Sequence, residues 1–220
     1  MKLAMTLLLI AGCTTDLVQS AAIETRDLRA HYTVVSEPDG VIAHAEYSWV
    51  GGGGAHVVFG DGDRISVDGN ELIERDGGDV FELAVTAGID HVFVLERPGE
   101  PPIEHRVTEA TPLSVSSSPT TGTYDSEVVV TWTPVETGDT VEIAARSPDV
   151  SCFSTVLTTA RPDTGRFTFS GVNLHSAADV GCEFALQVTR SKRTTVDPQG
   201  MASVTAENQR VAGPASLLLH

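Results

Sequence analysis

Leu28-Arg-Ala-His-Tyr-Thr-Val34 and, past a Pro38-Asp39-Gly40 turn, Val41-Ile-Ala-His-Ala-Glu-Tyr-Ser-Trp-Val50 alternate apolar and polar side chains residue by residue. Successive side chains of a strand point to opposite faces, so a period of two predicts strands rather than helices. In the first segment Leu28, Ala30, Tyr32 and Val34 fall on one face, and Arg29, His31 and Thr33 on the other. The second repeats the arrangement, with Val41, Ala43, Ala45, Tyr47 and Trp49 opposite His44, Glu46 and Ser48. Such alternation reads as antiparallel strands with one face in a core.

The same period continues in both directions from this pair. Gly51 to Gly54 reads as a flexible turn, because a phosphate cradle would need the lysine and the following helix of a P-loop. Short strands are expected at His56–Phe59, Arg64–Val67, Glu71–Arg75, Asp79–Val85 and His91–Arg97, with Asp-Gly turns between several of them. Ile103–Thr108 completes a first all-β unit. From Thr108 to Ser126 charge nearly vanishes and Thr, Ser, Pro and Gly dominate, which places a boundary at Pro112.

A second unit follows, with strands expected at Leu113–Ser117, Glu127–Pro134, Thr140–Arg146, Phe153–Thr159, Arg166–Ser170, Gly181–Arg190 and Ala202–Arg210. No helix longer than a turn or two is expected; His175–Val180 reads as at most one turn. The strand Glu127-Val-Val-Val-Thr-Trp-Thr-Pro134 resembles the early core strand of immunoglobulin-like and fibronectin type III sandwiches. That resemblance implies a sandwich, but Trp132 precedes both Cys152 and Cys182, unlike the bridge that flanks the tryptophan in true immunoglobulin domains.

At the start of the chain, Lys2 precedes a nine-residue apolar run, Leu3 to Ala11. As a helix this run rises only about 14 Å, too short for a hydrocarbon layer of ~30 Å, and it reads as a secretory signal. Leu9-Ile10-Ala11-Gly12-Cys13 resembles the lipobox of bacterial lipoproteins. The resemblance implies cleavage behind Gly12, a lipidated Cys13 as the new amino terminus, and stable anchoring by two or more acyl chains. With Thr14 after the cysteine and Asp16 only later, the enteric sorting rule implies the outer membrane. The whole chain is also similar to bacterial envelope lipoproteins that carry a tryptophan-bearing β-domain and a late Val196-Asp197-Pro198 segment. In an exported, oxidising compartment the remaining Cys152 and Cys182 form an even pair, either a disulfide or two buried thiols. A bridge would close a loop of roughly thirty residues, worth ~3–4 kcal/mol by chain entropy. Without a CxxC motif or a nearby His–Cys spacing, a zinc site is disfavoured.

Fourteen lysines and arginines stand against 30 acidic residues, a net charge of −16. A polyanion repels phosphate backbones and anionic headgroups, which excludes nucleic acid as a partner and disfavours electrostatic membrane binding. The excess concentrates in the first unit, at −12 between Ala22 and Pro112 against −4 between Leu113 and Gly213. A calcium site at Asp61, Asp63 and Asp68 is the metal reading to test. Ile65 and Leu72 break the order of an EF-hand, however, and aspartate is a good turn former in its own right. Seven histidines form no HExxH; His44, Glu46, His56, His91 and His105 read as mostly solvated. No Gly-x-Ser-x-Gly occurs, and Lys192 has no serine three positions before it. Arg190-Ser-Lys192-Arg193 reads as a solvated strand end, or as a contact for phosphates, peptidoglycan or the acidic unit. Tyr47, Trp49 and Trp132 lie on apolar faces and read as core.

The sequence therefore predicts an all-β protein of two tandem antiparallel, immunoglobulin-like β-sandwiches behind a lipoprotein signal. The boundaries are 1–12 for the signal peptide, 13–26 for a lipidated tether, 27–111 for the acidic sandwich, 112–213 for the disulfide-bearing one and 214–220 for a tail. No cofactor is expected. The expected role is non-enzymatic, structural or recognition, with the membrane reached through the lipid and another envelope protein or a glycan as partner. Alternatives are a calcium- or glycan-binding surface module, a subunit of an envelope assembly and, last, a hydrolase with a dispersed site.

Overall fold

The computed structural model describes residues 17–60, 62–75, 80–88, 90–149, 152, 155–174 and 181–220. In chain order the first strands are β1 (Leu17–Gln19), β2 (Leu28–Glu37), β3 (Gly40–Trp49), β4 (Ala55–Val58), β5 (Arg64–Val67) and β6 (Asn70–Glu71). Next come β7 (Ile73–Glu74), β8 (Val80–Val85), β9 (Asp90–Glu96), β10 (Ile103–Thr108), β11 (Ser114–Ser118) and β12 (Thr121–Gly122). The last are β13 (Glu127–Thr133), β14 (Thr140–Arg146), β15 (Thr155–Pro162), β16 (Arg166–Ser170), β17 (Cys182–Val196) and β18 (Ser203–Leu219). Among the described residues helix is confined to short 3-10 turns, so the fold is all-β.

Alternation builds the central pair as the sequence predicts. Leu28, Ala30, Tyr32 and Val34 of β2 and Val41, Ala43, Ala45 and Tyr47 of β3 are buried, joined by the two-residue Pro38-Asp39 loop. Trp49 is only half-buried. Its indole lies across the following 3-10 turn, where a Cβ at Gly51 or Gly52 would stand 2.6 or 2.5 Å from the ring. The glycine run is thus a seat for Trp49. The β5–β6 hairpin turns at Asp68-Gly69, both with positive φ (51° and 79°), as a two-residue loop demands.

One eleven-stranded sheet runs in the order β1-β4-β3-β2-β18-β17-β14-β15, with β8 also on β3, β7 on β8 and β12 on β18. A sheet ordered β10-β9-β5-β6 covers one end of its inner face, and a sheet ordered β11-β13-β16 covers the other. The first core joins Tyr32, Tyr47, Val67, Phe93 and Leu95. The second joins Val128, Trp132, Ile143, Phe184 and Leu217. Cys152 and Cys182 form a disulfide, with their Cα atoms 6.0 Å apart, in the second core.

The sequence boundaries do not separate these cores. β17 and β18 are 15 and 17 residues long, and their hairpin reaches from the second core into the first, where Met201, Val204 and Ala206 are buried. There β18 pairs with β2 in parallel, from Ser203 opposite Arg29 to Arg210 opposite Ser36. A parallel pairing arises because β18 arrives from the other unit instead of turning back from a neighbour. The sheet is consequently mixed, with β1–β4 and β12–β18 also parallel. Residues 214–220 are no tail: Ala215, Leu217 and Leu219 are buried on β18. A bulge at Gly213-Pro214, opposite Gln187, makes this possible. It shifts the inward positions of β18 from Val204 and Ala206 to Ala215, Leu217 and Leu219. Gly213 has φ 126°, and a Cβ there would meet the Leu186 carbonyl oxygen at 2.6 Å. The expected tether is also folded from Leu17 onward: Ile23 is buried, and Arg97 donates to the carbonyls of Ser20 and Ile23.

Candidate functional site

Between the two covering sheets the floor of the large sheet is left bare. β17 keeps its period of two across this gap, but Val188 gives way to Arg190, Lys192 and Thr194 before Val196 resumes the apolar face. On β18, Asn208 lies opposite Lys192 and Arg210 opposite Arg190. The result is a polar cleft of about 370 Å³ with Lys192 and Asn208 in its floor. Thr108, the last residue of β10, and Glu109 after it form one wall; Glu136 and Asp139, in the β13–β14 loop, form the other.

Each wall is fixed by buried charge. On the second-core side, Arg190 and Asp163 are fully buried and paired, with Nε and a terminal nitrogen of Arg190 each 2.8 Å from Asp163 Oδ2. Asp163 also accepts from Trp132 Nε1 (2.6 Å) and from the backbone N–H groups of Glu136 and Gly165. Burial alone would raise the Asp163 carboxyl; the Glu136 and Trp132 donors and the Arg190 charge hold it below the usual carboxylate range. Arg190 further donates to the Pro134 carbonyl. The solvated strand end expected for the basic run is therefore corrected at Arg190: its guanidinium belongs to a buried network.

On the first-core side, the His91 imidazole is 1% exposed and lies between two carboxylates. Nδ1 is 2.7 Å from Asp68 Oδ2, and Nε2 is 3.0 Å from Glu109 Oε1. Glu109 also accepts from Gly88 N, Ser36 Oγ and Arg210, which in turn donates to the Ala110 carbonyl. Burial lowers the His91 pKa, but hydrogen bonds to Glu109 and Asp68 outweigh it and leave the imidazole above its ordinary value. Glu109 is likewise pulled below its usual range against burial, by Gly88, His91 and Ser36. With both ring nitrogens engaged, His91 has no nitrogen left to activate a nucleophile.

A raised histidine pKa contributes stability that is complete below the unfolded value of about 6.5 and lost as pH rises through the folded value. The lowered Glu109 contributes above its unfolded value of about 4.3 and is lost toward acid. Stability should therefore peak in mild acid and decline as pH rises past about 6.5. Melting temperatures across pH 5 to 9 should show that decline flattened in His91→Gln; parallel curves for the two proteins would contradict the assignment.

The remaining sequence candidates are dispersed. Asp63 accepts from Ser20 Oγ and faces Arg97, and Asp68 holds His91 and the Val92 N–H. Asp61 and Cys13 lie outside the described residues. Among the described residues no group of three or more His, Cys, Asp and Glu side chains is placed to hold a metal. His31, His44 and His56 are half-buried on the outer face of the large sheet, where His31 meets Glu207 and His44 meets Glu82. His91 and His105 are buried, against the expectation of solvent. Tyr47 and Trp132 are core residues, as expected. Sequence reasoning passed over Glu109, Asp139, Asp163 and Asn208; the interruption of the apolar face between Val188 and Val196 was the available signal.

No protein-family model matches the chain, and no curated protein matches it. Solved structures to which it is similar include the fibronectin(III)-like modules of Clostridium thermocellum CbhA. Identity there is 8%, coverage 82% of this chain and 88% of that one, and the TM-score 0.26. Murine CEACAM1b is also 8% identical, over 87% and 98% of the two chains, with a TM-score of 0.25. At such scores the likeness carries no argument about function.

Proposed function

We propose that this chain is a lipid-anchored cell-envelope protein of the outer membrane with a non-enzymatic recognition role, built on two β-sandwich cores that share the β17–β18 hairpin. The observation that carries the recognition reading is the polar cleft, whose walls are held rigid by two buried charge networks. The anchoring reading rests on the lipobox-like run ending at Cys13. Leu17, only four positions later, already pairs with β4. Four residues reach at most about 14 Å, so the acyl chains would hold the first sandwich close to the bilayer and not away from it. Among the described residues no helix is long and apolar enough to cross a membrane.

Labelling cells with radioactive palmitate tests the anchor. The native chain should carry label, and Cys13→Ala should lose all of it and accumulate as an uncleaved or soluble exported form. Label persisting in that variant would refute the anchor.

A further inference from the structure

Two residues that line the cleft each carry a buried acceptor with no hydrogen-bond partner among the described residues. Asp139 is 7% exposed, and its Oδ1 is buried with no hydrogen-bond partner among the described residues. Lys192 Nζ stands 3.9 Å away, beyond hydrogen-bonding distance, and its side chain is half exposed. Across the floor, Asn208 donates through Nδ2 to the Thr108 carbonyl at 2.9 Å. A carbonyl only accepts, so this bond fixes the amide orientation and leaves Asn208 Oδ1 as the free end, again buried without a partner. An unsatisfied buried acceptor is costly, and a buried carboxylate more so. Burial accordingly pushes the Asp139 carboxyl above its usual range, and Lys192 and Arg190 draw it back only in part.

We infer that the cleft is a binding site for a small ligand bearing a primary ammonium group, whose N–H donors are taken by Asp139 Oδ1 and Asn208 Oδ1 while Lys192 swings out to solvent. The inference rests on the recognition reading and names the ligand class for that site. Three observations select an ammonium over a neutral sugar or an anion. Both unsatisfied atoms are acceptors, and one belongs to a carboxylate, for which a charged donor is the strongest partner. Glu136 adds negative charge, against the Arg106 cation on the same lining, in a chain whose overall charge of −16 draws cations inward. No aromatic ring lines the cleft among its described residues, so a sugar has no face on which to stack.

Isothermal titration of the purified protein with glucosamine and 1,4-diaminobutane, and with glucose as the neutral control, tests this directly. The amines should bind saturably and glucose should not. Asp139→Asn keeps the size of the side chain and removes its charge; it should weaken amine binding at least ~10-fold. Lys192→Met removes the competing internal cation from an exposed position and should tighten binding roughly 3-fold or more. A role for Asp139 confined to holding the loop would give no such gain. Absence of saturable amine binding to the native protein, equal binding of glucose, or an unchanged affinity in Lys192→Met would each overturn the inference. None of these outcomes bears on palmitate labelling, so the ligand class and the anchor fail separately.

Discussion

Asp163→Ala is expected to destabilise the protein by about 4 kcal/mol or more, enough to unfold many domains of ordinary stability. The substitution strands four donors at once. Arg190 loses its counter-charge in a site with no exposure, Trp132 Nε1 loses its acceptor, and the N–H groups of Glu136 and Gly165 lose theirs. Breaking a buried pair by removing one partner costs ~3–5 kcal/mol because an uncompensated charge remains, and each orphaned neutral donor adds roughly 1–3 kcal/mol. Arg190→Met should cost less, since Asp163 would keep three N–H donors. The double variant should be more stable than Asp163→Ala alone, because it no longer buries an unpaired guanidinium. Urea unfolding of the three variants measures the cycle; a double variant at the sum of the two single losses would show that the pair is not coupled. Asp163 has a lowered pKa, so its contribution is present above the unfolded value near 3.9 and disappears as pH falls through the folded one.

The strands themselves were legible because a period of two is a local signal. β2, β3, β5, β10, β14 and β16 begin and end within a few residues of their expected bounds, and the inward faces of β2, β3 and β17 fall on the residues that alternation selects. Partnership was not legible. Nothing local tells Ser203–Arg210 that it will lie beside Arg29–Ser36, some 170 positions earlier, or that a bulge at Gly213 lets the same strand serve a second core. The expected stop of the last strand at Arg210 followed from that: Val211-Ala-Gly-Pro changes parity, which reads as a break in alternation until the bulge is seen. The cleft was hidden for a related reason. Lys192 is an ordinary strand-end cation in one dimension, and it becomes part of a floor only where two covering sheets leave a gap. Buried pairs such as Asp163–Arg190 and His91–Glu109 couple residues 27 and 18 positions apart and leave no periodic trace.

One β17–β18 hairpin belongs to both cores. Removing it from the first core leaves β2 with a row of unpaired backbone N–H and C=O groups, where Ser203 to Arg210 had bonded. It also strips Met201 and Val204 from the interior, with Val196 packed against them. At ~1.5–3 kcal/mol for each fully buried apolar side chain, that loss is about 5 kcal/mol, comparable with the entire stability of a small domain. Thermal unfolding of a chain limited to residues 17–112, followed by circular dichroism, is the most direct measurement. A shared hairpin predicts no cooperative transition from that chain at any temperature, while the full chain melts sharply. A cooperative melt of residues 17–112 by themselves would show instead that the first core is complete without β17 and β18.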